Sequence, residues 1–407
     1  LVDREEWEQR LRPELRKSTP PELFRFIEQR VAQLLDVRQT LHTRRRDFER
    51  ILGPAAFSLN WADREAHSSD SMEYRCLTSE GLAVVHSERQ LCDLVRLATG
   101  LGLPLIPYGD GGGYNMGVVP MAGALTVSLK GINRIGEPQP LKADEERRFG
   151  PGLMKLTAGA GAAWPDLMAA AEQAGLVLRC RPNTPRASVG GIAGTGSHAG
   201  KRIQDVVLEG RAVVHGGACF RFAPTDRELE MLPRTPFLAT TKFWGVGTDD
   251  LDALRRAAGD GRGVGRPHLP LSLFIGAEGC TGLISELTLL LDRQPARART
   301  AALAFTSAAK AMAFVRAVKS RPPAVQPPFF EIVTRRAIEE YLLDRFPEQL
   351  QPGDEAYVVL DLEGQSGADV DRQADRLSAL AGEAAAHISI SPLRKAGERC
   401  SAAEELK

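Results

Sequence analysis

Clustered cysteine is the first thing this 407-residue chain lacks. Its six cysteines, at 76, 92, 180, 219, 280 and 400, are scattered, with no CxxC and no Cys/His cluster. No zinc, iron–sulfur or other metal site is therefore expected within the chain. Small buried thiols are the simplest reading for most of them, in keeping with a reducing, cytoplasmic compartment. No apolar run approaches the roughly 20 residues of a membrane span, so any membrane contact is expected to be peripheral, through a partner. Net charge is missing too: 52 Lys and Arg balance 52 Asp and Glu. That balance gives no global argument for nucleic acid or an anionic surface. The opening LVDREEWEQR has no signal-peptide pattern, and an initial Leu in place of Met fits a processed, trimmed or partial chain. Internal repeats and low-complexity tails are also absent. What remains is an ordinary globular composition, 43% hydrophobic and 26% charged, long enough for two or three domains of roughly 100–200 residues each.

Glycine, by contrast, is plentiful and concentrated. Leu103-Pro104-Leu105-Ile106 reads as a short buried strand, and it delivers Pro107–Gly117, PYGDGGGYNMG, with glycine at 109, 111, 112, 113 and 117. Glycine admits positive φ and close approach to the main chain. Tight turns of this kind can point several N–H groups into one concavity, which suits a phosphate. Alone, the stretch reads equally well as a glycine-rich surface turn. Two more stretches, Val189–Gly200 and Gly276–Gly282, shift the balance toward one large ligand held by several loops.

Around these stretches the chain organises as follows. Residues 1–78 read as a helical arm and linker. Pro20-Pro21-Glu22 starts a helix, and Leu23, Phe24, Ile27, Val31, Leu34 and Leu35 recur at helical spacing. Arg44-Arg45-Arg46 is expected on a solvated face, and 58–78 as a polar linker or wrapping arm. Leu82–Val85 is the next expected strand. Ser87 and Gln90 make a capping box for a helix that buries Leu91, Leu94, Val95, Leu97 and Ala98 and stops at Gly100. Strands are expected at Ala124–Leu129, Leu156–Ala160, Asp205–Val214, Cys219–Phe222 and Ile284–Leu291, with a helix at Trp164–Ala174. Residues 223–270 are irregular and rich in Arg, Gly and Pro. After Pro295 strands (Ala301–Phe305, Ala356–Leu362) alternate with helices (Ser307–Lys319, Arg335–Leu343, Val370–Leu380), and Phe329–Val333 reads as a strand or a helix start. A boundary is placed near residue 295.

Three passages, in order, carry a family resemblance. They are LVRLATGLGLPLIPYGDGGGYNMG (94–117) with GALTVSLKGINRI (123–135), LTAGAGAAWPDLMAAAEQAGLVLRCRPNTPRASVGGIAGTGS (156–197), and FIGAEGCTGLISELTLLL (274–291). The run from about Gly81 to Leu291 resembles the FAD-binding domain of the FAD-linked oxidases, of the vanillyl-alcohol oxidase and p-cresol methylhydroxylase type. The GAEGCTGLISELTL passage and the segment after 295 are most similar to the glycolate oxidase and D-lactate dehydrogenase group. The resemblance implies an α+β fold: a helical arm (1–78), a two-part FAD-binding domain (79–294) and an α/β cap for substrate (295–407). Because the chain stops before that group's metal-binding histidines, the cap is expected to be incomplete, its substrate half lying elsewhere or differing here.

The resemblance also implies site residues. Tyr108, Gly109, Asp110, Gly111, Gly112, Gly113, Tyr114 and Asn115 would wrap the FAD pyrophosphate with backbone N–H groups. Tyr108 replaces the arginine common in the family, and Asp110 is expected to face away or cap a turn. Pro182, Val189, Gly190, Gly191, Gly194, Thr195, Gly196 and Ser197 would pass along the flavin. Glu278, Gly279, Leu283 and Ile284 would close over adenine and ribose. Family members with covalent flavin carry His where Tyr114 stands, so FAD is expected to be non-covalent. Arg394, in SPLRKAGERC, would hold a substrate carboxylate, although Ser391 stands where the family has an aromatic. Among His86, His198, His215 and His268, only His198 adjoins a cofactor loop. It is the candidate general base, a solvated or structural histidine being the alternative. Lys201 and Arg202 beside it attract an acidic substrate or simply solvate a loop.

The implied function is an FAD-dependent oxidoreductase oxidising a small 2-hydroxy acid. It would pass electrons to a partner protein or quinone within an oligomer or multi-subunit assembly, without nucleic acid. A non-catalytic or electron-transfer FAD subunit of a larger complex is the alternative. Glycerol-type or aryl-alcohol substrates are a further option.

Overall fold

The computed structural model describes residues 4–71, 78–120, 123–180, 182, 187–197, 202–224, 269–320, 327, 330–341, 352–382, 385, 387–390 and 394–395. Their backbone forms three sheets. The smallest contains β1 (Phe57–Ser58), β2 (Gly81–Val84), β3 (Leu105–Tyr108) and β4 (Leu125–Ser128), in the order β1-β2-β4-β3. Strands β2 and β3 lie parallel to β4, which both meet at Leu125. A parallel pair needs a crossover, and the helix Glu88–Gly100 supplies the one from β2 to β3. Ser87 starts that helix as expected, its hydroxyl accepting the Gln90 N–H. Leu91, Leu94, Val95 and Ala98 are buried on one face.

The second sheet is larger. It contains β5 (Gln139–Pro140), β6 (Met154–Gly159), β7 (Leu176–Leu178), β8 (Val207–Val213), β9 (Cys219–Ala223), β10 (Leu269–Pro270) and β11 (Leu283–Arg293). The order is β10-β9-β8-β11-β6-β5, with β7 also on β11. Central β11 is buried on both faces along most of its length, with Leu283, Ile284, Leu287, Leu289, Leu290 and Leu291 as its apolar residues and Glu286 exposed. One apolar core joins both sheets to the N-terminal helices. Leu41 and Phe48 from the arm, Leu94 from the helix Glu88–Gly100, Leu125 from the small sheet, Trp164 from the helix Trp164–Gln173, and Phe222 and Leu287 from the large sheet belong to it.

The third sheet contains β12 (Arg297–Phe305), β13 (Phe330–Thr334), β14 (Ala356–Gly364), β15 (His387–Ile390) and β16 (Arg394–Lys395), ordered β13-β14-β12-β15, with β16 beside β12. It has its own core of Leu303, Phe305, Phe314, Val358, Leu360 and Leu377. Its strands alternate with the helices Ala308–Lys319, Arg335–Tyr341 and Gly367–Ala381, yet every pairing is antiparallel. Alternation in sequence therefore does not here mean a parallel sheet, because β13 and β15 flank the β12–β14 pair instead of extending a crossover.

Several local readings change. Residues 58–71 are more than a polar linker: Asn60 caps the helix Trp61–Glu65, and Arg64, Ser68 and Asp70 are buried. Arg64 Nη1 donates to the Ser79 carbonyl at 2.8 Å, and Arg38 of the arm pairs with buried Glu80. The expected strand from Asp205 begins at Val207, because Ile203–Asp205 closes a 3-10 turn. Nearly all of the irregular 223–270 segment lies outside the described residues.

Candidate functional site

The first glycine stretch leaves the carboxyl ends of parallel β3 and β4, the side of an open α/β sheet where ligands bind. Two of its carbonyls are taken from outside. Ser71 N–H donates to the Gly113 carbonyl at 3.0 Å, and the Ser71 hydroxyl to the Gly111 carbonyl at 3.3 Å. Asp70 accepts the Met116 N–H at 2.8 Å. Among the described residues, the N–H groups from Gly109 to Asn115 find no acceptor. A row of amides with its carbonyls tied back is a surface built to donate. The Asp110 carboxylate, the like charge carried by the loop itself, is 2.8 Å from Lys130 Nζ, while the Asp70 and Glu278 carboxylates that reach the loop accept from the Met116 N–H and from Asn115.

The second stretch is a short helix, not the open loop its glycines suggest. Ser188 caps Val189–Gly194 by accepting the Gly191 N–H, and the Gly190 N–H donates to the Ala160 carbonyl at 2.7 Å. Gly190 needs its missing side chain here: a Cβ would lie 2.8 Å from the Ala160 Cβ. The crowding is with protein, so Gly190 serves helix-to-strand packing rather than leaving space for a ligand. Val189 is wholly buried, while Gly191 and Thr195 are exposed.

The third stretch ties the other two together. Gly276 and Glu278 donate their N–H groups to the carbonyls of Ala193 and Gly194, both at 2.9 Å. Asn115 Nδ2 donates to the Glu278 carboxylate. Gly279, at φ +84°, lies so close to β3 that a Cβ would be 2.6 Å from Pro107 Cγ. Met116 and Glu278, at φ 61° and 49°, are the non-glycine residues in left-handed backbone among those described. Each such residue costs on the order of 1–2 kcal/mol. Strain of this kind collects where structure is held for function, and here the two residues lie on loops joined by the Asn115–Glu278 hydrogen bond.

The remaining candidates divide by what their side chains do. Tyr108 is buried, its ring edge-on to His67 at 4.9 Å between centroids. Tyr114 is 67% exposed. Leu283 and Ile284 are buried in β11 opposite Val213 and Ala212, so only their backbone can face a ligand. Gly196 lies against Gly276, Ser197 accepts the Ile203 N–H at 2.8 Å, and Pro182 is half-buried. Arg394 is in β16, opposite Ala298. His198 and Lys201 lie outside the described residues. Sequence reasoning missed Ser71, Asp70, Lys130 and Ser188, which hold the loops. Of these only Ser188 had a readable signal, a serine directly before a VGGIAG run.

A polar knot sits behind the loops. Arg211 on β8 makes a two-armed pair with Glu88, at 2.6 Å for its Nε arm, and the Ser285 hydroxyl donates to Glu88 at 2.8 Å. Burial works to raise the Glu88 carboxyl, but hydrogen bonds from Arg211 and Ser285 outweigh it and hold the group below the usual carboxylate range. This knot locks the helix Glu88–Gly100 to β8 and β11.

Among the described residues no group of three or more His, Cys, Asp or Glu could hold a metal ion, and no helix is long and apolar enough to cross a membrane. Residues 79–223 match the family model described as an FAD binding domain. A probable mitochondrial D-lactate dehydrogenase of Danio rerio is 23% identical over 270 residues, covering 65% of this chain and 46% of that one. The chain thus spans about half the length of this curated relative. Solved structures of alkyldihydroxyacetonephosphate synthase in two crystal forms superpose with TM-scores of 0.58 and 0.57 at 15% identity. Each covers 84% of this chain and 60% of the other, and at that identity the likeness concerns the fold alone. The residues present fit such a cofactor: the amide row from Gly109 to Asn115 suits a pyrophosphate, and the one nearby carboxylate on that loop is paired off.

Proposed function

We propose a function on one premise: this chain belongs to the FAD-linked oxidases, residues 79–223 being their FAD binding domain. The protein is an FAD-dependent oxidoreductase that oxidises a small 2-hydroxy carboxylate. The observation that carries the reading is the unaccepted amide row of Gly109 to Asn115, located where three glycine stretches meet. Those amides hold the pyrophosphate as fixed dipoles. The exposed backbone of Gly191 and Thr195 lines the flavin, and Glu278 with Gly279 closes the nucleotide end. Tyr114 offers no histidine for covalent attachment, so FAD is held non-covalently. When bound, FAD supplies the two-electron acceptor for the substrate's C–H bond.

In this reading residues 79–294 are the two-part cofactor unit, 1–78 the arm around it, and 295–407 the substrate cap. Arg394 anchors the substrate carboxylate, because its planar fork gives two parallel hydrogen bonds. His198 takes the hydroxyl proton as general base. Electrons leave to a partner protein or a quinone within an assembly. The similarity to a probable D-lactate dehydrogenase supports the substrate class.

The test is anaerobic. Acid precipitation should release FAD into the supernatant, and D- or L-2-hydroxy acids should bleach the bound flavin. Arg394→Lys should slow bleaching roughly 10- to 150-fold with flavin content unchanged, the equivalent of about 1.5–3 kcal/mol for a lost charged hydrogen bond. Flavin that stays with the pellet overturns non-covalent binding alone. Unchanged bleaching in Arg394→Lys rejects the anchor. No bleaching by any 2-hydroxy acid rejects the substrate class and leaves an FAD-holding subunit as the reading.

A further inference from the structure

Away from the cofactor loops, the helix Glu88–Gly100 meets the turn that joins β8 to β9. The Cys92 carbonyl touches Gly217 so closely that a side chain there could not fit. The Gly216 N–H donates to the Thr99 hydroxyl at 3.1 Å. Cys219 follows two residues later, opening β9 opposite Val213. The backbones that carry Cys92 and Cys219 are thus pinned together from both sides. Arg211, whose guanidinium pairs with Glu88 one turn before Cys92 on the helix, also donates from Nη2 to Cys219 Sγ at 3.8 Å, so the two half-buried thiols are brought to the same ion pair. Neither thiol belongs to the glycine stretches.

We propose that Cys92 and Cys219 are a peroxide-oxidisable pair, and that their disulfide is a covalent modification site tying the crossover helix of the small sheet to β9 of the large sheet. The chemistry of the two sulfurs is unequal. Its interaction with Cys219 holds the Cys92 thiol below its ordinary range, against the effect of burial. The same interaction, then burial and the Glu88 charge, pushes Cys219 up. Cys92 therefore supplies the thiolate, the reactive form.

The steps balance with hydrogen peroxide as oxidant. Cys92 Sγ attacks one peroxide oxygen and the O–O bond breaks. The departing hydroxide takes a proton and leaves as water, and Cys92 becomes a sulfenic acid. Cys219 Sγ then attacks Cys92 Sγ and the S–O bond breaks. The leaving hydroxyl carries the Cys219 proton away as a second water. Two thiols lose two electrons in total, and one peroxide is reduced to two waters. The cross-link closes a long loop of chain, which restricts the unfolded state and stabilises the folded one.

The experiment treats the flavin-bound protein with a small excess of hydrogen peroxide, blocks free thiols with N-ethylmaleimide, and maps peptides without reductant. One linked pair containing Cys92 and Cys219 is expected, short of two hydrogens and released by dithiothreitol. Oxidised wild type should melt a few degrees above the reduced protein, and Cys92→Ser and Cys219→Ser should lack both changes. Dimedone should label Cys92 in Cys219→Ser. Both cysteines alkylated after peroxide, or either linked to a different cysteine, overturns the proposal. Dimedone labelling only Cys219, in Cys92→Ser, overturns the order of attack. If a serine variant fails to fold, the wild-type peptide map decides by itself.

Discussion

Strand β12 and the Gly109–Gly117 loop use their backbones in opposite ways. The nine residues of β12 pair with β14 along their whole length, from Arg297 opposite Gly364 to Phe305 opposite Ala356, and with β15 on the other side. Its amides are satisfied by neighbouring strands, and Leu303 and Phe305 fill a core beneath them. In the loop, amides from Gly109 to Asn115 have no acceptor among the described residues, and the residues from Tyr114 to Gly117 are exposed. An unmade hydrogen bond is costly only once water is excluded. The loop can therefore stay open until a ligand brings the acceptor. Strand β12 depends on the chain alone; the loop is finished by what it binds.

The contrast can be broken at its stable end first. Phe305 is fully buried, its ring 5.5 Å from Phe314. Phe305→Ala should cost about 3–5 kcal/mol in denaturant unfolding while flavin per protein stays constant. Loss of flavin in that variant would mean that the third sheet supports the cofactor loops directly. Next comes Gly190→Val, which forces a branched side chain onto Ala160. It should cost roughly 1–3 kcal/mol and remove the flavin, with hydrogen exchange rising in 156–197 and unchanged in β12 and β14. Normal flavin occupancy would show that the capped helix does not shape the site.

The knot behind the loops gives a pH test. Glu88 is held below its ordinary pKa when folded. Its contribution is therefore full above the unfolded value of about 4.3 and is lost as pH falls through the lower folded value. Glu88→Gln should cost about 1.5 kcal/mol near neutrality, and its melting curve should begin to converge with wild type only as pH falls below the unfolded value of about 4.3. Parallel curves across that window would assign the loss to packing. The smallest effect is expected at the loop junction. Asn115→Ala removes the hydrogen bond to Glu278 and should weaken flavin binding by about 1 kcal/mol, roughly fivefold in Kd. An unchanged Kd would leave the first and third stretches acting independently.

Much of the secondary structure was legible because its causes are local. Ser87 announces the crossover helix by its side chain and its spacing to Gln90, and the apolar alternation of β6 and β8 marks half-buried strands. Other features had no local cause. Ser188 turns VGGIAG into a helix only because Ala160 and Ala162 offer carbonyls to the first amides. Residues 58–71 read as polar and unpatterned because Arg64 and Asp70 are buried through partners elsewhere, the Ser79 carbonyl and the Met116 N–H.

The sequence alone determined where the backbone is permissive: glycines cluster in three stretches, and φ freedom is a property of each residue by itself. It also determined which segments must be buried, since apolar periodicity follows from the same short-range geometry. Tertiary structure decided which way the permissive segments turn and what they meet. Asn115 reaches Glu278 across 163 residues of chain, Lys130 pairs with Asp110 of the loop, and the Cys92 carbonyl comes against Gly217, two residues before Cys219. Those contacts depend on how β3, β8 and β11 are stacked by one shared core, and no window of sequence contains that information.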